Sequence, residues 1–127
     1  MTPFELKETI PTDHGIQALV AIDPKDAIYK AHFPGHPVTP GVCLIQAVSE
    51  LMEQHYGRKL MICNLKNVRF LSAIIPDKTQ TVLFDIQCGY QTDTDEQSRD
   101  TRISCKATIS KNGTPCAKMS LVFEPID

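Results

Sequence analysis

Two histidines stand four residues apart in a stretch crowded with prolines: His32-Phe33-Pro34-Gly35-His36-Pro37-Val38-Thr39-Pro40-Gly41-Val42. Near neutral pH an imidazole can take a proton from carbon or give one to oxygen. Proline fixes φ at several points here, so the imidazole sits in a stiffened loop. Gly41 leads into an apolar run, Val42 to Val48, whose one amide is Gln46. The first N–H groups of a helix have no partner inside it and can donate to a carbonyl oxygen or to the oxyanion it becomes. Gln46 can exchange hydrogen bonds but cannot titrate near neutral pH, and on an apolar stretch it calls for a polar partner. Two readings stay open for His32 and His36: a reactive imidazole, or hydrogen bonds kept within the loop. Gln46 likewise belongs to a site or merely ties helix to loop. The residues specify a polar site at a helix N-terminus without naming a reaction.

The elements that must position this stretch follow from patterning. Met1 to Thr12 reads weakly, as an edge strand or a loose turn, and Gln17 to Ile22 as a first strand closed by Asp23-Pro24. Ala27 to Pro40 is expected to be a loop without helix. A helix should then run about four turns, with Thr39 as cap, Pro40 in its first turn and Gly57 as its stop. Its first half is apolar almost all round, which predicts burial in a core. Gln46 and Glu50 lie one turn apart on the same face. Beyond it, Leu60 to Phe70 reads as a strand, with a turn at Pro76-Asp77. Thr81 to Tyr90 alternates, with Val82, Phe84, Ile86, Cys88 and Tyr90 on one side. The polar stretch Gln91 to Asp100 suits an exposed connection. Ile103, Cys105, Ala107 and Ile109 alternate again, Lys111-Asn112-Gly113 marks a hairpin, and Ala117, Met119, Leu121 and Phe123 form a last inward row. The order is strand, kinked loop, buried helix, then about four antiparallel strands. The expected class is α+β, an antiparallel sheet around one apolar helix.

Composition bounds the rest. The 127 residues suit one domain, residues 1–127. Thirteen basic and fifteen acidic side chains give a net charge of −2 without any basic run, so nucleic-acid or anionic-membrane binding has little electrostatic support. The five cysteines lie in apolar or strand-like segments with no CxxC pair. They read as small core residues in a reducing compartment, with a metal site or a nucleophile as the alternative. No metal or nicotinamide is implied. No segment approaches the roughly 20 apolar residues of a membrane span, and no signal-type stretch opens the chain, so the cytoplasm is the expected location.

The stretch HFPGHPVTPGVCLIQAV resembles the signature of the 3-hydroxyacyl-(acyl carrier protein) dehydratases, which reads roughly HFPGHPxMPGVLxxEAxAQ. The likeness continues in NVRFLSAIIPDK, similar to that family's VKFRRPVxPGD, and covers nearly the whole chain. It implies a hotdog fold, an antiparallel sheet wrapped around one long central helix. It further implies dimers or trimers of dimers with active sites at the subunit interface, and an acyl carrier protein or coenzyme A thioester as partner. By the match His32 is the base that removes the C2 proton, and Gly41 offers its N–H to the thioester carbonyl. Phe33, His36 and Val42 fall beside the substrate. Lys66 and Arg69 are candidates for meeting an acidic carrier, or plain surface charge.

The departures change the expectation. The family's acid falls on Gln46 and its later glutamine on Glu50, so acid and amide stand exchanged across one helical turn. Thr39 replaces a methionine, and Leu71 and Ser72 replace arginines. Three expectations follow. One is a dehydratase in which Glu50, or an ordered water held by Gln46, makes good the missing acid. Another is a weak or inactive acyl-thioester-binding subunit that depends on a related partner in a hetero-oligomer. The third is a thioesterase of the same fold.

Overall fold

The computed structural model describes residues 1–77, 81–91 and 102–126. Local chemistry places its sharpest turn. Asn112 and Gly113 both take positive φ, 52° and 78°, as a two-residue hairpin turn requires. That turn joins β5 (Ile103–Lys111) to β6 (Thr114–Pro125). With β1 (Phe4–Thr12), β2 (Gly15–Ile22), β3 (Leu60–Phe70) and β4 (Thr81–Tyr90), they form one antiparallel sheet in the order β1-β2-β4-β5-β6-β3.

Alternation decides which face is apolar. Ala18, Val20, Ile22, Val82, Phe84, Ile86, Ile103, Cys105, Ala107, Ile109, Ala117, Met119, Leu121 and Phe123 all lie buried on the inner face. Against them packs α2 (Gly41–Tyr56), burying Leu44, Ala47, Val48, Leu51 and Met52. The helix stops at Gly57, whose left-handed backbone (φ 64°) donates its N–H to the Glu53 carbonyl. The chain therefore has the expected α+β layout, with a sheet curved around one helix.

Several expectations need correction. Thr39 does not cap α2. Its hydroxyl is engaged by the Tyr29 hydroxyl at 2.8 Å, so Pro40 becomes the N-cap and Gly41 the first helical residue. The loop from Ala27 is not free of helix: the Ile28 N–H donates to Asp26 Oδ1 at 2.9 Å and starts a single turn, α1 (Ile28–Ala31). The prolines begin only after it. Residues 4–12 form a full edge strand, so two strands precede the helices, and Pro11 is tolerated there because an edge leaves one N–H row unpaired. The cysteines are not all core residues. Cys105 and Cys116 are buried, Cys43 and Cys88 half-buried, and Cys63 is exposed on edge strand β3. Most of the Gln91–Asp100 connection, and the residue after the Pro76-Asp77 turn, lie outside the described residues.

Candidate active site

Residues 32–42 form a tight loop held by its own backbone. The His32 N–H donates to the Ile28 carbonyl and the Val38 N–H to the His32 carbonyl, each at 2.9 Å. Phe33 and His36 exchange N–H to carbonyl bonds at 3.2 and 2.9 Å around Gly35, whose φ is 77°. The loop is moored to the segment after β3, where the Thr39 N–H donates to the Ile74 carbonyl at 2.9 Å.

His32 Nδ1 lies 3.2 Å from the Val38 carbonyl oxygen. A carbonyl oxygen only accepts, so Nδ1 carries the proton and the neutral ring keeps its lone pair on Nε2. The Phe33 ring stacks on the imidazole, centroids 4.0 Å apart, and limits its rotation. A cleft of about 410 Å³ opens beside it, lined by His32, Val38, Thr39, Gly41, Leu44, Phe70, Leu71, Ser72 and Ala73. At the start of α2 the first helix-type bond runs from Cys43 N–H to the Pro40 carbonyl, which leaves the Gly41 N–H without a partner among the described residues. Gly41 also permits close packing: a Cβ there would overlap the Phe70 ring at Cζ, with Cε1 at 2.7 Å and Cε2 at 2.8 Å. A base, an unpaired backbone donor and an apolar wall thus share one cleft.

The structure brings together only part of the sequence-derived set. His32 and Gly41 line the cleft; Phe33 contacts it through His32. His36 and Val42 are exposed and stand outside its lining. Gln46 is exposed on α2, on the same side as Val42, which is 68% exposed. Glu50 lies half-buried one turn further on. One of its carboxylate oxygens is buried without a hydrogen-bond partner, and the chain's amino-terminal ammonium lies 3.7 Å from it. Neither Gln46 nor Glu50 lines its own chain's cleft. Lys66 and Arg69 are exposed on β3. Phe70, Leu71 and Ser72 are wall residues that sequence patterning did not assign. Their signal was the family-like stretch NVRFLSAIIPDK, where Phe70 ends β3 and Leu71 and Ser72 stand in place of arginines. Among the described residues no cluster could hold a metal, and no helix is long and apolar enough to cross a membrane.

This architecture is the hotdog fold, shared with proteins that act on acyl thioesters. The ApeI:P dehydratase heterocomplex of Xenorhabdus doucetiae superposes with a TM-score of 0.71 at 18% identity, over 97% of this chain and 98% of that one. A hypothetical thioesterase from Streptococcus pneumoniae, solved with coenzyme A, gives 0.62 at 13% identity, over 97% and 85%. In sequence, the 3-hydroxyacyl-(acyl carrier protein) dehydratase FabZ of Herpetosiphon aurantiacus is 25% identical over 98% of this chain and 89% of its own length. Matches to FabZ of Clostridium acetobutylicum and Desulforamulus reducens span 41% and 54% of those proteins. Residues 8–110 match the ApeI-like family, described as ApeI dehydratase. The chain belongs to this ApeI-like family of hotdog dehydratases, related at low identity to FabZ.

Proposed function

We propose that this protein dehydrates a 3-hydroxyacyl thioester, presented by an acyl carrier protein or coenzyme A, to the trans-2-enoyl thioester. The observation that carries the reading is the cleft itself, where His32, with its lone pair on Nε2, stands with the unpaired Gly41 N–H. His32 Nε2 takes the C2 proton. The Gly41 N–H donates to the thioester carbonyl oxygen as it gains charge. The C3 hydroxyl leaves and needs a proton to depart as water. Gln46 cannot supply that proton, and neither Gln46 nor Glu50 lines its own chain's cleft, so it comes from Glu50, or from a water that Gln46 holds, on the helix of a facing copy of this chain. Phe70 and Leu71 give the acyl chain an apolar wall. Lys66 and Arg69 meet an acidic carrier, supported by Lys118 directly opposite Arg69 on the next strand.

A second reading is favoured by the placement of Gln46. It is exposed on α2, away from its own cleft, beside Val42 and an edge strand that exposes Met61 and Leu65. Such a face suits a second subunit, a copy of this chain or a relative. The heterocomplex among the similar structures supports the latter. In that reading the partner brings a carboxylate to His32, and this chain alone is slow.

The deciding experiment is mass-spectrometric turnover of 3-hydroxyacyl and 2-enoyl thioesters by the wild type and by His32→Ala, Gln46→Glu and Glu50→Gln variants. The wild type is expected to lose or add water, and His32→Ala to fall about 10²–10⁴-fold. Loss in Glu50→Gln would make Glu50 the acid. Silence in the wild type, cured by Gln46→Glu or by mixing with an active relative, would favour the partner-dependent reading. Release of free acid in place of the enoyl product would replace both with a thioesterase.

A further inference from the structure

Cys88 and Cys105 face each other across β4 and β5, in a ladder that runs without a bulge from Val82↔Lys111 to Tyr90↔Ile103. The hydrogen-bonding type of this pair follows from its neighbours. The Gln91 N–H donates to the Arg102 carbonyl at 2.9 Å, which makes that pair a hydrogen-bonded one. Pairs alternate along an antiparallel ladder, so Gly89↔Ser104 is hydrogen-bonded again and Cys88↔Cys105 is not. The Cys88 N–H agrees: it turns the other way and donates to the His14 carbonyl at 2.8 Å. Residues opposite each other in a non-hydrogen-bonded pair point to the same face with Cα atoms about 4.5 Å apart. A disulfide accepts Cα separations of about 4.4–6.8 Å, so this pair fits at the short end.

The surroundings give the pair both access and shelter. Cys88 is half-buried and Cys105 is buried. A cavity of about 540 Å³ lies against this part of the sheet, but its walls are the outward-pointing Gln87, Ser104, Lys106 and Ser120, so it meets the backbone of the pair and not the sulfurs. An oxidant reaches the pair through the half-exposed Cys88. The dehydration chemistry uses neither sulfur.

We propose that Cys88 and Cys105 form a reversible disulfide site, closed by a peroxide-class oxidant and opened by a dithiol reductant. The Cys88 thiol, the more accessible, first loses a proton that burial holds more tightly than usual, and its sulfur then attacks one peroxide oxygen, so the step quickens as pH rises. The O–O bond breaks, one water leaves, and Cys88 becomes a sulfenic acid. The Cys105 sulfur then displaces the hydroxyl, the S–S bond forms, and a second water leaves. Two electrons pass from the two sulfurs to the peroxide. A dithiol reductant reopens the bond by exchange at either sulfur. When closed it ties the ends of the segment 89–104 together, across the β4–β5 connection.

The test treats the folded protein with hydrogen peroxide, in a Cys63→Ser background that removes the exposed thiol. Remaining thiols are blocked under denaturing conditions before digestion. Trypsin cuts after Lys78, Arg99, Arg102 and Lys106, so the bond joins peptide 79–99 to peptide 103–106. The expected result is that joined pair as the main oxidised product, two hydrogens lighter than the separate peptides. Dithiothreitol should part it, and Cys88→Ala should lack it while keeping the wild-type circular dichroism. The proposal is overturned if the folded protein keeps both thiols, if the pair joins only after unfolding, or if Cys88 stops at the sulfenic acid or links elsewhere.

Discussion

At the residue scale, Gly41 carries two duties that one methyl would set against each other. It lines the cleft with an N–H that has no partner among the described residues, and its missing Cβ makes room for the Phe70 ring. That ring is 55% exposed and can swing outward. Gly41→Ala should therefore cost less than the ~1–3 kcal/mol of overpacking a closed core. The displaced ring moves over the cleft, so turnover and substrate binding should fall while the denaturation midpoint barely moves. Adding Phe70→Ala should recover binding in the Gly41→Ala background. A large loss of stability in urea melts would show instead that the ring is held in place. The same scale separates His32 from His36. Four residues apart, they are chemically alike, yet of the two only His32 has a ring nitrogen against a carbonyl and a place in the lining of the cleft.

At the element scale, the cleft depends on how α1, the proline loop and the N-terminus of α2 are fastened together. The Tyr29 side chain, buried at 4% exposure, bonds the Thr39 hydroxyl just before the helix starts. Tyr29→Phe keeps the ring and strands a buried hydroxyl, for an expected loss of about 1–3 kcal/mol in urea unfolding. Pairing it with Thr39→Val removes both polar groups and should regain most of that loss. If Tyr29→Phe proves neutral, the bond is not what holds the loop to the helix. This fastening also explains why the capping residue was misplaced: a threonine before an apolar run reads as a cap until another element claims its hydroxyl.

At the scale of the whole molecule, the buried thiols and phenols set the response to alkali. Burial pushes the Cys105 thiol from 9.0 up to about 12. Burial also raises Cys43 and Cys88 above 9.0, and Tyr29 and Tyr56 above 10.0. The native chain then holds these protons at pH values where the unfolded chain has lost them. Their stabilising contribution is whole below pH 9.0 and drains away as pH rises towards about 12. Among the described residues only a hydrogen bond from the Leu121 backbone pulls Cys105 the other way; Cys88, Tyr56 and Tyr90, about the same end of the core, are acids as well. Thermal melts taken from about pH 8 to about pH 11 should show a falling midpoint, with a shallower slope in Cys105→Ala. A flat profile would mean that these groups ionise alike in both states.

Period-two alternation, the Asn112-Gly113 turn and the Gly57 stop were enough to define the strands and the end of the helix. Such signals are local: each depends on residues within one turn or one pleat of each other. The motif from His32 to Gly41 likewise announced an imidazole in a stiff loop leading to a helix N-terminus, because prolines and an apolar run are readable in one dimension. Tertiary structure alone decided the rest. The turn of α1, the full length of β1 and the cleft wall of Phe70, Leu71 and Ser72 depend on neighbours far away in the chain. So does the facing of Cys88 and Cys105, which arises only from the register of two strands. Gln46 shows the difference most plainly. Its sequence position fixed its chemistry as an amide, but only the packed sheet, which covers one side of α2 and leaves the other open, determined that it faces outward.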